Sequence, residues 1–177
     1  MSSVSSPRLL RALLSASSFA YGGQLGEPRV LVRLTHCDKS ITVFALADTG
    51  AVRTLLAYEV AEALGIQGEL CNYREVPGST DVIRVASAEV RLGAQLLSKR
   101  GGRAMGLPFS LEPDYYTEAT PSHRPPADVM EHGWEHLCIL GRQDFFSQFG
   151  LLLTEIRPGE GTFLLFDQDQ IIPAPSV

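Results

Sequence analysis

Phe44-Ala45-Leu46-Ala47-Asp48-Thr49-Gly50-Ala51 sets a lone carboxylate where an apolar strand runs out into a turn of small residues. Residues 41–47 are β-branched, aromatic and aliphatic enough to suit a sheet. Just upstream, Val30, Val32 and Leu34 alternate with Leu31, Arg33 and Thr35. The polar run His36-Cys37-Asp38-Lys39-Ser40 lies between the two stretches, so 29–48 reads as a hairpin that delivers Asp48 at its end. Gly50 lets the backbone fold tightly beneath the carboxylate, where a Cβ would crowd it. Thr49 brings a hydroxyl that can lock the turn, and Ala51 is small enough to leave room for a substrate.

Further along, Leu55, Leu56, Val60, Ala63 and Leu64 fall near a 3.6-residue period, and Gly65 is a natural stop, which predicts a helix. Residues 73–76 and 81–92 read as a second hairpin about Pro77-Gly78-Ser79-Thr80, where Pro-Gly favours a type II turn. From 99 to 135 the periodicity dissolves among Gly101-Gly102, Pro108, Pro113, Pro121 and Pro125-Pro126, and the stretch reads as a long insertion. Order returns at Cys138-Ile139-Leu140-Gly141, followed by a short helix through Phe145, Phe146 and Phe149. Two closing strands, 151–156 and 162–166, flank Pro158-Gly159-Glu160-Gly161.

The chain of 177 residues suits one packed domain, taken as 28–170, with an N-terminal arm over 1–27 and a tail over 171–177. Residues 1–26 hold no acidic residue, are rich in Ser and carry only Arg8 and Arg11 as charges; the arm reads as flexible, with an organelle-targeting segment as the alternative. A net charge of -5 without a Lys/Arg block argues against nucleic acid. No apolar run reaches the roughly 18 to 20 residues that span a bilayer. The three cysteines, Cys37, Cys71 and Cys138, are odd in number and far apart, so they read as buried free thiols in a reducing, cytoplasmic compartment.

Together these motifs resemble the retropepsin-like aspartic proteases, especially their cellular single-domain relatives. Phe44 to Leu55 looks like the active-site strand and loop, and Leu56 to Gly65 like the helix that follows it. Cys138-Ile139-Leu140-Gly141-Arg142-Gln143-Asp144-Phe145-Phe146 is similar to the late apolar-apolar-Gly motif, and Gly150 to Phe166 to the closing strands. The resemblance implies a mostly β fold: a closed barrel of antiparallel hairpins with one or two short helices, dimeric, with Ile139-Leu140-Gly141 threading beside the Asp48 loop. It implies Asp48 as the catalytic residue, supported by Thr49, Gly50 and Ala51, and a flap over bound polypeptide whose tip falls at Pro77, Gly78 and Ser79. No cofactor and no metal is implied.

Hydrolysing a peptide bond with water needs a base and an acid, and two carboxyl groups sharing one proton supply both. A single chain would need a second Asp-Thr/Ser-Gly, and none occurs; Asp167 closes an apolar run but is followed by Gln168-Asp169. A two-fold axis that sets Asp48 beside its symmetry mate solves the count. The expectation is an aspartic endopeptidase working as a homodimer. Its rival is the same fold used as an inert dimerisation or peptide-binding module. Other chemistries have less behind them. His132 and His136 are four apart, yet Gly133 lies between them and no His-Glu-x-x-His occurs, so they read as structural or surface residues. No Gly-x-Ser-x-Gly occurs, and Asp128 and Asp144 read as solvated, or for Asp144 as a helix start.

Overall fold

A computed structural model describes residues 17–21, 28–77, 82–98, 103–118, 138–157 and 160–167. The hairpin ahead of Asp48 is its best-formed unit. Strand β2 (Arg29–His36) pairs antiparallel with β3 (Lys39–Ala47) from Arg29↔Leu46 to His36↔Lys39. The turn is only Cys37-Asp38, with Cys37 in the left-handed region at φ 52°, so Lys39 and Ser40 already belong to a strand.

The remaining strands are β1 (Ser17–Tyr21), β4 (Leu55–Leu56), β5 (Leu70–Pro77), β6 (Val82–Ala88), β7 (Leu92–Leu97), β8 (Ala104–Leu111), β9 (Asp114–Tyr116), β10 (Ile139–Leu140), β11 (Phe149–Arg157) and β12 (Glu160–Asp167). Nine of them form one mixed sheet in the order β5-β6-β9-β4-β10-β3-β2-β7-β8, and β1-β12-β11 form a separate three-stranded sheet. The expected closed barrel is therefore not what the chain builds. Closure would require the two ends of the nine-stranded order to pair, and β5 and β8 lie at opposite ends of it. Strand β8 also carries Pro108, which has no N–H to offer a further strand.

Four further readings change. Leu55 and Leu56 are a short strand, and helix α1 covers only Tyr58–Leu64 before Gly65, whose φ of 73° caps it. Its apolar stripe is Val60, Ala61 and Leu64; Ala63 points outward. Residues 142–148 form consecutive turns instead of a regular helix. Part of the 99–135 stretch is sheet, since β8 and β9 fall within it, and residues 17–21 of the arm pair with β12 from Ser17↔Leu165 to Tyr21↔Gly161.

The core lies on one face of the large sheet. Val30, Val32, Leu34, Val43, Ala45, Leu56, Tyr115 and Leu140 meet Val60, Ala61 and Leu64 of α1 and Phe145 of the turn segment there. Phe145 stacks at a ring distance of 5.7 Å edge-on to Phe109 and 4.9 Å from Phe149. Burial of each Leu or Val contributes roughly 1.5–3 kcal/mol, so this face supplies most of what holds β3, β10 and β4 in register.

Candidate active site

Asp48 follows directly on β3, and its placement is set by three pieces of chain. Strand β10 lies between β3 and β4, parallel to β3 (Ile139↔Leu46, Leu140↔Ala47) and antiparallel to β4 (Ile139↔Leu55). The parallel ladder continues into the loop: Leu46 N–H donates to Cys138 O at 2.8 Å and Asp48 N–H to Leu140 O at 3.1 Å. The Asp48 backbone is thus held as if still in the strand, while its side chain is half-buried.

The turn then closes on the carboxylate. Gly50 N–H donates to Asp48 Oδ1 at 2.8 Å, and Ala51 N–H to Asp48 O at 3.2 Å. A Cβ on Gly50 would stand 3.1 Å from Asp48 Oδ1, tight enough to disturb that contact. Thr49 and Gly50 are exposed and Ala51 half-buried. One carboxylate oxygen is therefore oriented by the backbone, the arrangement a catalytic acid needs if it is to keep one rotamer.

Beyond Ala51 the loop is tied to the segment after β10. Arg142 N–H donates to Ala51 O at 3.0 Å and Gln143 N–H to Val52 O at 2.9 Å. Gly141 N–H donates to Thr54 Oγ1 at 3.1 Å, and that hydroxyl donates to Asp144 Oδ1 at 2.6 Å. The same Asp144 oxygen accepts from Thr54 N–H at 3.3 Å and Phe145 N–H at 2.9 Å. Thr54 is fully buried. Asp144 is thus a structural anchor, not a solvated residue, and the only hint in the sequence was its place at the start of an aromatic turn. Gly141 is the crossing point: a Cβ there would collide with the Arg53 carbonyl and stand 2.7 Å from Thr54 N.

Register fixes what shares a face with Asp48. Paired residues project to the same side of a sheet and alternate along a strand. The row Leu46, Ile139, Leu55, Asp114 runs across β3, β10, β4 and β9 on one side. Ala47, Leu140, Leu56 and Tyr115 point to the other, into the core. Asp48, two residues past Leu46 and still on the ladder, belongs to the first row. There Leu46, Ile139 and Leu55 are only half-buried, so the carboxylate sits beside an apolar strip that the chain leaves partly open.

At the far end of this row lies a charged group that sequence reading had missed. The Asp114 side chain, 7% exposed, meets two arginines through the same oxygen, Oδ2: Arg53 Nε at 3.2 Å and Arg74 through a terminal guanidinium nitrogen. The Arg53 contact is ionic without being a hydrogen bond, and Asp114 Oδ1 accepts none. Arg53 also donates to Glu112 O at 3.1 Å, and Asp114 N–H to Thr54 O at 2.9 Å. The three side chains are 21 to 61 positions apart in sequence, and only the strand order brings them together.

Of the expected flap tip, Pro77 ends β5, while Gly78 and Ser79 lie outside the described residues, as do His132 and His136. Among the described residues no group of three His, Cys, Asp or Glu is placed to hold a metal ion, and no helix is long and apolar enough to cross a membrane. Cys138 is fully buried; burial, opposed by an Ala57 backbone hydrogen bond and by Arg29, pushes its thiol up to about 12, so it is no nucleophile. Comparison with known protein families and with characterised proteins gives no match.

Proposed function

We propose that the chain is an aspartic endopeptidase in which Asp48 and the Asp48 of a second copy, related by a two-fold axis, activate one water against a polypeptide. The reading rests above all on the Asp48 carboxylate, held by the Gly50 N–H at the end of a strand and flanked by the half-open strip Leu46, Ile139 and Leu55. Two carboxyl groups at contact distance cannot both ionise, so the pair keeps one proton. The charged member takes a proton from water as the water oxygen attacks the peptide carbonyl carbon. The protonated member gives its proton to the carbonyl oxygen. Collapse of the resulting diol breaks the C–N bond, with a proton passing to the leaving nitrogen. No cofactor enters this scheme.

The half-open strip also favours a second reading, an inert dimeric module that binds extended peptides without cutting them. Asp48→Asn separates the two. The protease reading expects loss of peptide cleavage by about a thousandfold with dimerisation retained in sedimentation. No cleavage by the wild-type protein anywhere from about pH 4 to 7 would leave only the module.

A further inference from the structure

The Asp114 cluster sits on the face that carries Asp48, and its charges do not balance. One buried carboxylate faces two guanidiniums, and both arginine side chains stay more than a third exposed, at 39% for Arg53 and 36% for Arg74. Because both contact the same oxygen, the two guanidiniums converge on one point. Each guanidinium has five N–H donors, and the contacts to Asp114 and the Glu112 carbonyl occupy only some of them. The neighbouring acids are engaged elsewhere: Glu112 with Arg91, and Glu75 with Arg84. On a chain of net charge -5, this is a local excess of positive charge beside an apolar strip.

Position gives the cluster a use. Asp114 is three strands from Leu46 in the row Leu46, Ile139, Leu55, Asp114. At about 4.8 Å per strand that is about 14 Å from Leu46, and the two-residue step on to Asp48, about 7 Å along the strand direction, makes about 16 Å, or about five residues of extended peptide. We infer that Arg53 and Arg74 form a subsite for an acidic side chain of the bound polypeptide, about five residues along from the position facing Asp48. A carboxylate there makes the set two acids to two guanidiniums and takes up free donors of both forks. Asp114 serves as the buried post that holds the forks together. The inference deepens the peptide-binding reading of this face and does not need turnover.

The test is a positional-scanning library of C-terminally amidated peptides, so that no terminal carboxylate competes, with Glu, Gln or Lys at each position in turn. Binding is read on the full-length Asp48→Asn protein and cleavage on the wild type. The subsite predicts one position where Glu binds about three- to tenfold tighter than Gln, with Lys disfavoured and the preference shrinking at high salt. Arg74→Gln and Arg53→Gln each abolish the preference, and Arg74→Lys keeps part of it. Since losing an arginine strands Asp114, Asp114→Asn with Arg74→Gln is the folding control and should also lack the preference.

A purely structural cluster predicts that Arg74→Gln and Arg53→Gln lower thermal stability and leave the binding of Glu and Gln peptides unchanged relative to each other. Absence of binding, absence of any position preferring Glu over Gln, or a preference that survives in both Arg→Gln variants overturns the inference. The outcomes also separate it from the protease reading. Cleavage without a Glu preference removes the subsite alone, and a Glu preference without cleavage removes the protease alone.

Discussion

The segment 138–145 lies against the Asp48 loop and the hairpin of β5 and β6 lies at the far end of the same sheet, and they are held in opposite ways. Strand β10 is paired on both sides, its Leu140 is fully buried, and Gly141, Thr54 and Asp144 knit it to the loop. The hairpin lies at the sheet's end, paired with β9 through Val85, Ala86 and Ser87 and tied to it by the Arg74–Asp114 ion pair. Tyr73 and Val82 are 67% and 65% exposed, and the Glu75–Arg84 pair is solvated. Local stability follows burial and hydrogen bonding. Under the proposed function, the carboxylate that must keep one geometry is braced by the closed element, and the acidic-side-chain subsite draws on the open one through Arg74.

Thiol labelling should break or sharpen this contrast most. Of the three thiols expected to be buried, only Cys138, which opens the closed segment, is; Cys71 on β5 is partly exposed and Cys37, in a two-residue turn, is exposed. Burial holds the Cys138 thiol at about 12 instead of 9.0, so its thiolate is about a thousandfold rarer than in the unfolded chain. Timed alkylation followed by mass spectrometry should modify Cys37 and Cys71 first and Cys138 only on global unfolding. The sign for stability follows. The raised folded pKa leaves Cys138's contribution whole below about pH 9 and erodes it as pH climbs towards about 12. Equal labelling of Cys71 and Cys138 would show that the closed segment opens locally.

Gly141→Ala should rank next. Its methyl must displace the Arg53–Thr54 backbone, at a cost of about 3 kcal/mol in urea unfolding. A value below about 0.5 kcal/mol would mean that the two segments do not cross so closely. Thr54→Val keeps the shape but strands Gly141 N–H and removes the hydroxyl from Asp144, an expected loss of about 2 kcal/mol. In the hairpin, Tyr73→Ser should change stability by no more than about 0.5 kcal/mol, because Tyr73 is largely exposed.

How much of this was legible depends on whether a residue's partners are near it in sequence. Alternation over 30–35 located β2, and the apolar run ending at Asp48 located β3, because a hairpin needs only its own neighbours. Ile139-Leu140-Gly141 was recognisable as a strand with a glycine after it, and the structure puts that glycine where only hydrogen fits. Leu55-Leu56 was misassigned because an apolar pair fits a helical stripe as well as a short strand; β10 on one side and β9 on the other decide it. Pro108 and Pro113 hid β8 and β9, since proline is tolerated at a sheet edge and beside a strand's start. The open sheet was out of reach for the same reason as Arg53, Arg74 and Asp114: both depend on strand order, which no local pattern carries.

The central claim is that Asp48 acts only when two chains bring two of them together. Its most direct test is the cleavage rate per chain of a peptide library across a dilution series, with sedimentation equilibrium on the same samples. The account predicts that the rate falls on dilution in step with the dimer fraction and vanishes with the monomer. A monomer that cleaves at an undiminished rate would contradict it.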